Sequence, residues 1–438
     1  MKKTLLALSI VILLIVIFLP QILSTPLGKP FFEKTFGKTI HAQTSIGSLR
    51  LTWLGPQVLK NIRFFNEEIE GTIDELDSDV PFWKLNDLGK TFSLENGTFT
   101  LKTYGNVKIE KVTAKVVSQS VTATGVSTEG GDVSIKGKIY GKNDIDLIAK
   151  VHQMPPALLD TLLKTKGLLN ALLGSSMDAA ATYVYNQGNG IFNLDLTATY
   201  AKLSLESEIT KDILTLKAPL GATLLWHPEL TDLTQGHLVG AKFPITLQID
   251  PNHTSFPIRP LNLGRLTIGH AVLDPGILMT QDLSPLISLL TLLKKGSLGS
   301  SQIPIWFTPI AFTIDEGTLH LERIDVLIAN AVHLCSWGDI YLPGQLNLIL
   351  GIPEDTLESS LGIQGLPRNY VLQVPVQGPI ENPRYDTGPA TAKITAWIAG
   401  QQATKATGVF GQLFNKLIKP SGEDQEVPPP KRPFPWEK

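Results

Sequence analysis

The chain has 438 residues, 43% of them hydrophobic and 18% charged, with 37 glycines and 30 prolines. Such a composition is globular, rich in turns, and long enough for one large or two to three ordinary domains. A balance of 38 basic and 40 acidic residues leaves a formal charge of −2, which excludes a nucleic-acid binder driven by bulk charge. The single cysteine, Cys335, excludes an intramolecular disulfide and a thiolate zinc site.

Lys2 and Lys3 precede an apolar run from Leu5 to Leu19 that continues through Pro20 to Leu23. It approaches the roughly 20 residues that span a hydrocarbon core. A cleaved signal peptide and a retained anchor both begin in this way. Cleavage wants small residues in an A-x-A-like arrangement, and the exit reads Pro20-Gln21-Ile22-Leu23-Ser24-Thr25-Pro26. The expectation is therefore a transmembrane anchor over residues 1–24. The two lysines place the rest of the chain across the membrane, which in a bacterium means a single-pass inner-membrane protein with its bulk in the periplasm.

From about residue 40 to 150 the sequence runs in short alternating segments. Val112, Ala114 and Val116 alternate with Lys111, Thr113 and Lys115, and Val133, Ile135 and Ile139 alternate with Ser134, Lys136 and Lys138. A period of two predicts strands with one apolar and one polar face. Gly55-Pro56, Glu95-Asn96-Gly97, Gly130-Gly131 and Gly141-Lys142-Asn143 read as turns between them, giving an antiparallel meander.

Met154-Pro155-Pro156 then opens a leucine-rich stretch with helical spacing, ending at Gly174-Ser175-Ser176. Strands resume through Tyr183, Leu194, Leu196, Leu203 and Leu205. A second leucine helix is predicted near 284–295, capped by Ser284 and followed by Gly299-Ser300-Ser301. Residues 305–376 are strand-rich again. The stretch 389–420 reads as a C-terminal amphipathic helix, able to bind a membrane interface or to cap the sheet. Residues 421–438, rich in proline and charge, read as a disordered or extended tail. The β-rich domain would thus cover 25–388.

Motifs that carry chemistry are missing from the sequence. Gly37-Lys38-Thr39 lacks the preceding glycine of a phosphate-binding loop, whose position is taken by Phe32. The eight histidines show no helical metal-ligand spacing. Asp74, Glu75, Asp77 and Asp79 lack the Asp/Asn-Gly pattern of a calcium loop and read as a solvated loop. No catalytic residue, metal or cofactor is expected, and the chain reads as a non-enzyme.

The predicted fold class is mainly β. Alternation alone leaves two architectures open: a sandwich in which a second sheet covers the apolar face, or an incomplete barrel whose apolar face lines a groove. A resemblance bears on the choice. The anchor is followed by Thr44-Ser45-Ile46-Gly47-Ser48-Leu49-Arg50-Leu51-Thr52-Trp53-Leu54-Gly55-Pro56-Gln57-Val58-Leu59-Lys60-Asn61-Ile62-Arg63-Phe64, which resembles the first strand pair of AsmA-like proteins, the group that includes TamB. Gly317-Thr318-Leu319-His320-Leu321, Trp337-Gly338-Asp339-Ile340-Tyr341-Leu342 and Val374-Pro375-Val376-Gln377-Gly378-Pro379-Ile380-Glu381-Asn382-Pro383 resemble that family's C-terminal strands. The similarity covers the two ends of the chain.

The resemblance implies a long curled antiparallel sheet behind the anchor, with a hydrophobic β-groove that binds or transfers phospholipid in outer-membrane biogenesis. The expected acyl-chain contacts are Leu49, Leu51, Trp53, Val112, Val116, Val133, Ile135, Leu194, Leu196, Leu203, Leu205, Ile340 and Leu342. About 20 strands at about 4.8 Å would make a groove about 100 Å long, short for a lone bridge across a periplasm. The alternative function is a non-enzymatic envelope scaffold that binds an outer-membrane protein, or its insertion machinery, through a sheet edge.

Overall fold

The structure is a computed structural model that describes residues 18–85, 91–102, 107–141, 144–163, 165–258, 263–281, 302–342, 344–380, 382–404 and 426–437. Among the described residues more than half lie in strands, helices are few, and the strands pair antiparallel without closing into a barrel. The chain divides into two compact units, Met1–Ala201 and Lys202–Lys438.

In the first unit a helix, α1 (Lys29–Ile40), precedes ten strands. They are β1 (Gln43–Arg50), β2 (Gln57–Phe65), β3 (Ile69–Ser78), β4 (Phe92–Leu101), β5 (Val107–Val117), β6 (Ser120–Ser127), β7 (Asp132–Gly141), β8 (Asp144–Met154), β9 (Met177–Asn186) and β10 (Asn189–Ala198). Each pairs antiparallel with the next, so the unit is a meander in chain order. Two-residue turns with both central residues at positive φ close β5–β6 at Ser118-Gln119 and β9–β10 at Gln187-Gly188. That geometry matches the right-handed twist of the strands it joins.

Two expectations are corrected here. Glu95-Asn96-Gly97 is not a turn: it lies inside β4 as a bulge, where pairing with β5 slips between Leu94 and Gly97. Asn96 takes a left-handed φ of 56° there, and its side chain reaches Asp74. A bulge and a turn need the same backbone conformation, so Asn-Gly serves either. Asp74, Glu75 and Asp77 belong to β3 rather than to a solvated loop. Glu75 meets Lys60 at 2.7 Å across the strands. Burial raises the pKa of Asp77, as do the neighbouring charges of Asp79, Glu95 and Glu75.

The leucine-rich stretch forms two short helices, α2 (Ala157–Leu163) and α3 (Leu168–Leu173), inserted between β8 and β9. Fully buried Asp160 organises them. Its carboxylate accepts hydrogen bonds from the Leu169 and Asn170 backbone N–H groups, at 2.9 and 2.7 Å, and from the Thr165 hydroxyl at 2.6 Å. It thereby satisfies donors at the start of α3 that have no partner within the helix.

The second unit carries β11 (Ala201–Thr210), β12 (Ile213–Leu216), β13 (Leu220–Leu224), α4 (Pro228–Leu233), β14 (Leu238–Ala241), β15 (Ile245–Ile249), β16 (Ser255–Pro257), β17 (Ile268–Asp274), β18 (Ile277–Thr280), β19 (Ile303–Phe307), β20 (Ile310–Asp315), β21 (Thr318–Ile328), β22 (Val332–Tyr341), β23 (Gln345–Pro353), α5 (Glu354–Leu361), β24 (Val371–Pro379), β25 (Arg384–Tyr385) and α6 (Gly388–Thr404). β21 is the hub. One edge pairs with β22; the other carries β20 along its first half and β19 along its second. From β22 the ladder continues through β23 and β24 to β25.

Helix α6 lays Ala390, Ile394 and Trp397 on this sheet, packed with Ile352, Leu372 and Val374. The spacing i, i+4, i+7 puts all three on one helix face, so the described part of the C-terminal helix caps the sheet. Residues 426–437, expected to be disordered or extended, run extended into a short 3-10 turn at Pro435–Glu437 and bury Phe434.

Among the described residues no helix is long and apolar enough to cross a membrane. Residues 1–17, which hold most of the expected anchor, lie outside the described residues. So do the predicted helix at 284–295 and residues 405–425.

Candidate functional site

Strand register aligns the apolar residues of the first unit into rows across the sheet. One row runs Leu49, Leu59, Leu76, Leu94, Ala114, Ala123, Ile135, Ala149, Ala181, Leu194, one residue from each of ten strands. A flanking row runs Phe92, Val116, Val121, Gly137, Leu147, Tyr183, Phe192. Val133, Val151, Ala179 and Leu196 lie in register on the other side. The opposite face presents Lys115, Thr124, Lys136 and Lys150, all exposed. The alternation of each strand has become a continuous apolar surface on one side of the sheet.

This surface is covered unevenly. Over β1–β4, α1 brings Phe32, Phe36 and Ile40 onto a core of Ile46, Leu49, Leu59, Ile62, Phe64, Ile73 and Leu94. Helix and sheet enclose an apolar cavity of about 720 Å³, lined by Phe36, Ile40, Phe64, Leu76, Phe92 and Phe99 among others. At the end of β8 and β9, Met154, Ala157, Leu158, Leu173 and Met177 are buried where the α2–α3 insert meets the sheet. Between these closures, Ala114, Val116, Val121, Ala123, Val133, Ile135, Leu147, Ala149, Ala181, Tyr183, Phe192 and Leu194 are only half-buried. Four alanines in the central row keep the side chains of that open stretch short.

The predicted contact residues divide accordingly. Val116, Val133, Ile135 and Leu194 lie half-buried on the open stretch, Val112 is half-buried against the edge of the core beneath α1, and Leu196 is buried near the insert. Leu49 shares their face, but it and Leu51 are buried in the core beneath α1. Trp53 lies beyond the end of β1 and packs edge-on to Phe82 at 5.0 Å. The other four belong to the second unit. Leu203 and Leu205 are half-buried on β11. Ile340 pairs with Leu319 and Leu346 on β22, and Leu342, past the strand end, is 40% exposed. Helix α1 itself was missed, though Phe32, Phe36 and Ile40 at i, i+4, i+8 after Pro30 carry its signal. Gly37-Lys38-Thr39 falls within its last turn.

The second unit holds a charge network that no local motif announces: Arg323, Asp325 and His333 are buried, and Asp355 joins them from the surface. Arg323 donates from Nε to Asp325 Oδ2 at 3.0 Å and from Nη2 to Oδ1 at 2.7 Å. His333 reaches Asp325 through Nε2 at 3.0 Å and Asp355 through Nδ1 at 2.8 Å. Burial pulls the His333 pKa down, yet hydrogen bonds to Asp325 and Asp355 outweigh it and raise the value to about 9. The ring is therefore doubly protonated at neutral pH and donates from both nitrogens. Burial would raise the pKa of Asp325, but hydrogen bonds from His333 and Arg323 lower it; for Asp355 the bond from His333 does the same. Two positive and two negative groups balance.

Among the described residues no three His, Cys, Asp or Glu side chains converge as a metal site. No family model matches the chain, nor does any curated protein or solved structure.

Proposed function

We propose that the chain is a bacterial envelope protein that binds phospholipid acyl chains on the apolar face of its first unit, anchored in the inner membrane by its N-terminal segment. The observation that carries this reading is the register. Ten consecutive strands contribute to one apolar face, of which α1 covers the first four while the face over β5–β10 stays half-exposed. Large contiguous apolar surface left uncovered on a protein marks a binding surface, and a face without charged side chains suits hydrocarbon. The lysines of the opposite face stay in water. Nine steps of about 4.8 Å make this sheet about 45 Å across. The resemblance of both ends of the chain to AsmA-like proteins supports the same reading and extends it to lipid transfer toward the outer membrane.

The test is extraction and mass spectrometry of lipid from the purified full-length chain, with Ile135→Glu alongside. The expected result is stoichiometric phospholipid on the natural chain and its loss from the variant. Equal amounts on both would place the lipid elsewhere.

A further inference from the structure

The segment 426–437 lies on the side of β21 and β22 opposite α6. Arg323 Nη1 donates to the Pro428 carbonyl at 2.9 Å, and Lys431 Nζ reaches Glu322 at 2.6 Å. Val427 packs on Cys335, Trp337, Ile349 and Val371. The Phe434 and Trp436 rings stack on each other at 4.9 Å and meet the His333 ring edge-on at 5.1 and 5.6 Å. Among the described residues no strand pairing includes this segment.

Two features set this contact apart from ordinary core. Pro428, Pro429, Pro430 and Pro433 lack a backbone N–H, so an extended proline-rich run can dock through side chains and carbonyls without needing a sheet partner. It also loses little conformational entropy on docking. The charge network beneath is complete without it. Arg323, Asp325, His333 and Asp355 compensate one another, so lifting the segment removes two aromatic rings, the Val427 side chain, the exposed Lys431–Glu322 pair and one carbonyl acceptor. It does not strand a buried, unpaired charge, the event that makes removal of a partner costly.

We propose that the β21–β22 face around His333 is a binding site for an extended proline-rich peptide ending in Phe-Pro-Trp, with residues 426–437 as its tethered occupant from the same chain. Residues 405–425 connect the segment to α6, a reach of up to about 70 Å when extended. A tether of this kind supplies the occupant at an effective concentration of order mM. A free peptide must therefore compete with the chain's own segment.

The experiment uses the full-length chain and, as probe, a fluorescent synthetic peptide of residues 426–437, read by anisotropy. The natural chain should bind the probe weakly. The chain carrying Phe434→Ala and Trp436→Ala, with its own segment undocked, should bind at least tenfold more tightly. A probe carrying the same two alanines should bind neither. Equal binding to both chains, or none to the variant, would overturn the proposal. So would loss of the variant's cooperative unfolding transition, which would make the segment part of the core. Concentration-dependent dimers of the natural chain, absent from the variant, would overturn the same-chain assignment by giving the site to a second copy.

Discussion

Leu94 on β4 and Ala114 on β5 face each other across adjacent strands on the same side of the sheet, yet Leu94 is 8% exposed and Ala114 is half-buried. Ala114 still packs on the edge of the core beneath α1, and the cover thins out from there: toward β4 the apolar face is core, and beyond β5 it is surface. The same alternating pattern in sequence therefore carries two energetic roles.

That boundary separates two kinds of mutation. Ile62, fully buried under α1, should lose about 2–5 kcal/mol on Ile62→Ala, from lost burial and a residual cavity. Ile135→Glu, on the open stretch, should cost less than about 1 kcal/mol in the lipid-free chain, because its carboxylate can still reach water. Chemical denaturation of both variants measures the contrast. A collapse of the Ile135→Glu chain would mean that the open stretch is covered core.

The charge network predicts a pH dependence. His333 has a pKa near 9 when folded, against 6.5 for a free histidine. Its contribution to stability is fully present below about pH 6.5 and is lost as pH rises through about 9, amounting to roughly 3 kcal/mol. Asp325 and Asp355, with lowered pKa values, contribute above their free value of 3.8 and lose that contribution as pH falls below it. Denaturation midpoints should be highest between about pH 4 and 6.5. In His333→Gln the alkaline decline between pH 6.5 and 9 should disappear.

Asp160→Ala should free α3 before anything else. Its carboxylate accepts two backbone N–H groups and one hydroxyl, and bonds to a charged acceptor contribute about 1.5–3 kcal/mol each. Hydrogen exchange at Leu169 and Asn170 should accelerate by more than tenfold while the centres of β6 and β7 keep their protection.

Cys335 is a built-in probe of global unfolding. It is 1% exposed, and burial pushes its thiol up to about 12, so almost no thiolate is present at neutral pH. Alkylation of the native chain should be slow, and complete within minutes in denaturant. Fast labelling under native conditions would place an opening of β22, or release of the segment whose Val427 packs on Cys335, well below the global unfolding free energy.

The sequence was most legible where local pattern decides structure. Alternation marks the strands that carry Val112–Val116 and Val133–Ile139, because a period of two is a property of each strand alone. It could not say which faces are covered, since that depends on a helix packing across four strands. The helical signal of Phe32, Phe36 and Ile40 is short and overlaps the Gly-Lys-Thr within the same helix. Asn96-Gly97 misled because a bulge inside a strand asks for the residues a turn asks for. The charge network needs partners from different strands and a helix: Arg323 and Asp325 share a strand face, but His333 and Asp355 meet them only through pairing of β21 with β22 and the placement of α5. The docked segment was equally hidden, for proline-rich composition describes a free chain well until a surface complements it.

The most direct measurement is photo-crosslinking in the bacterial envelope, with a photoreactive residue placed at Ile135 and, in a matched chain, at its neighbour Lys136 on the opposite face. Phospholipid-mass adducts at position 135 and none at 136 are the expected result. Adducts at both positions, or at neither, would contradict the assignment of the open apolar face as the lipid-binding surface.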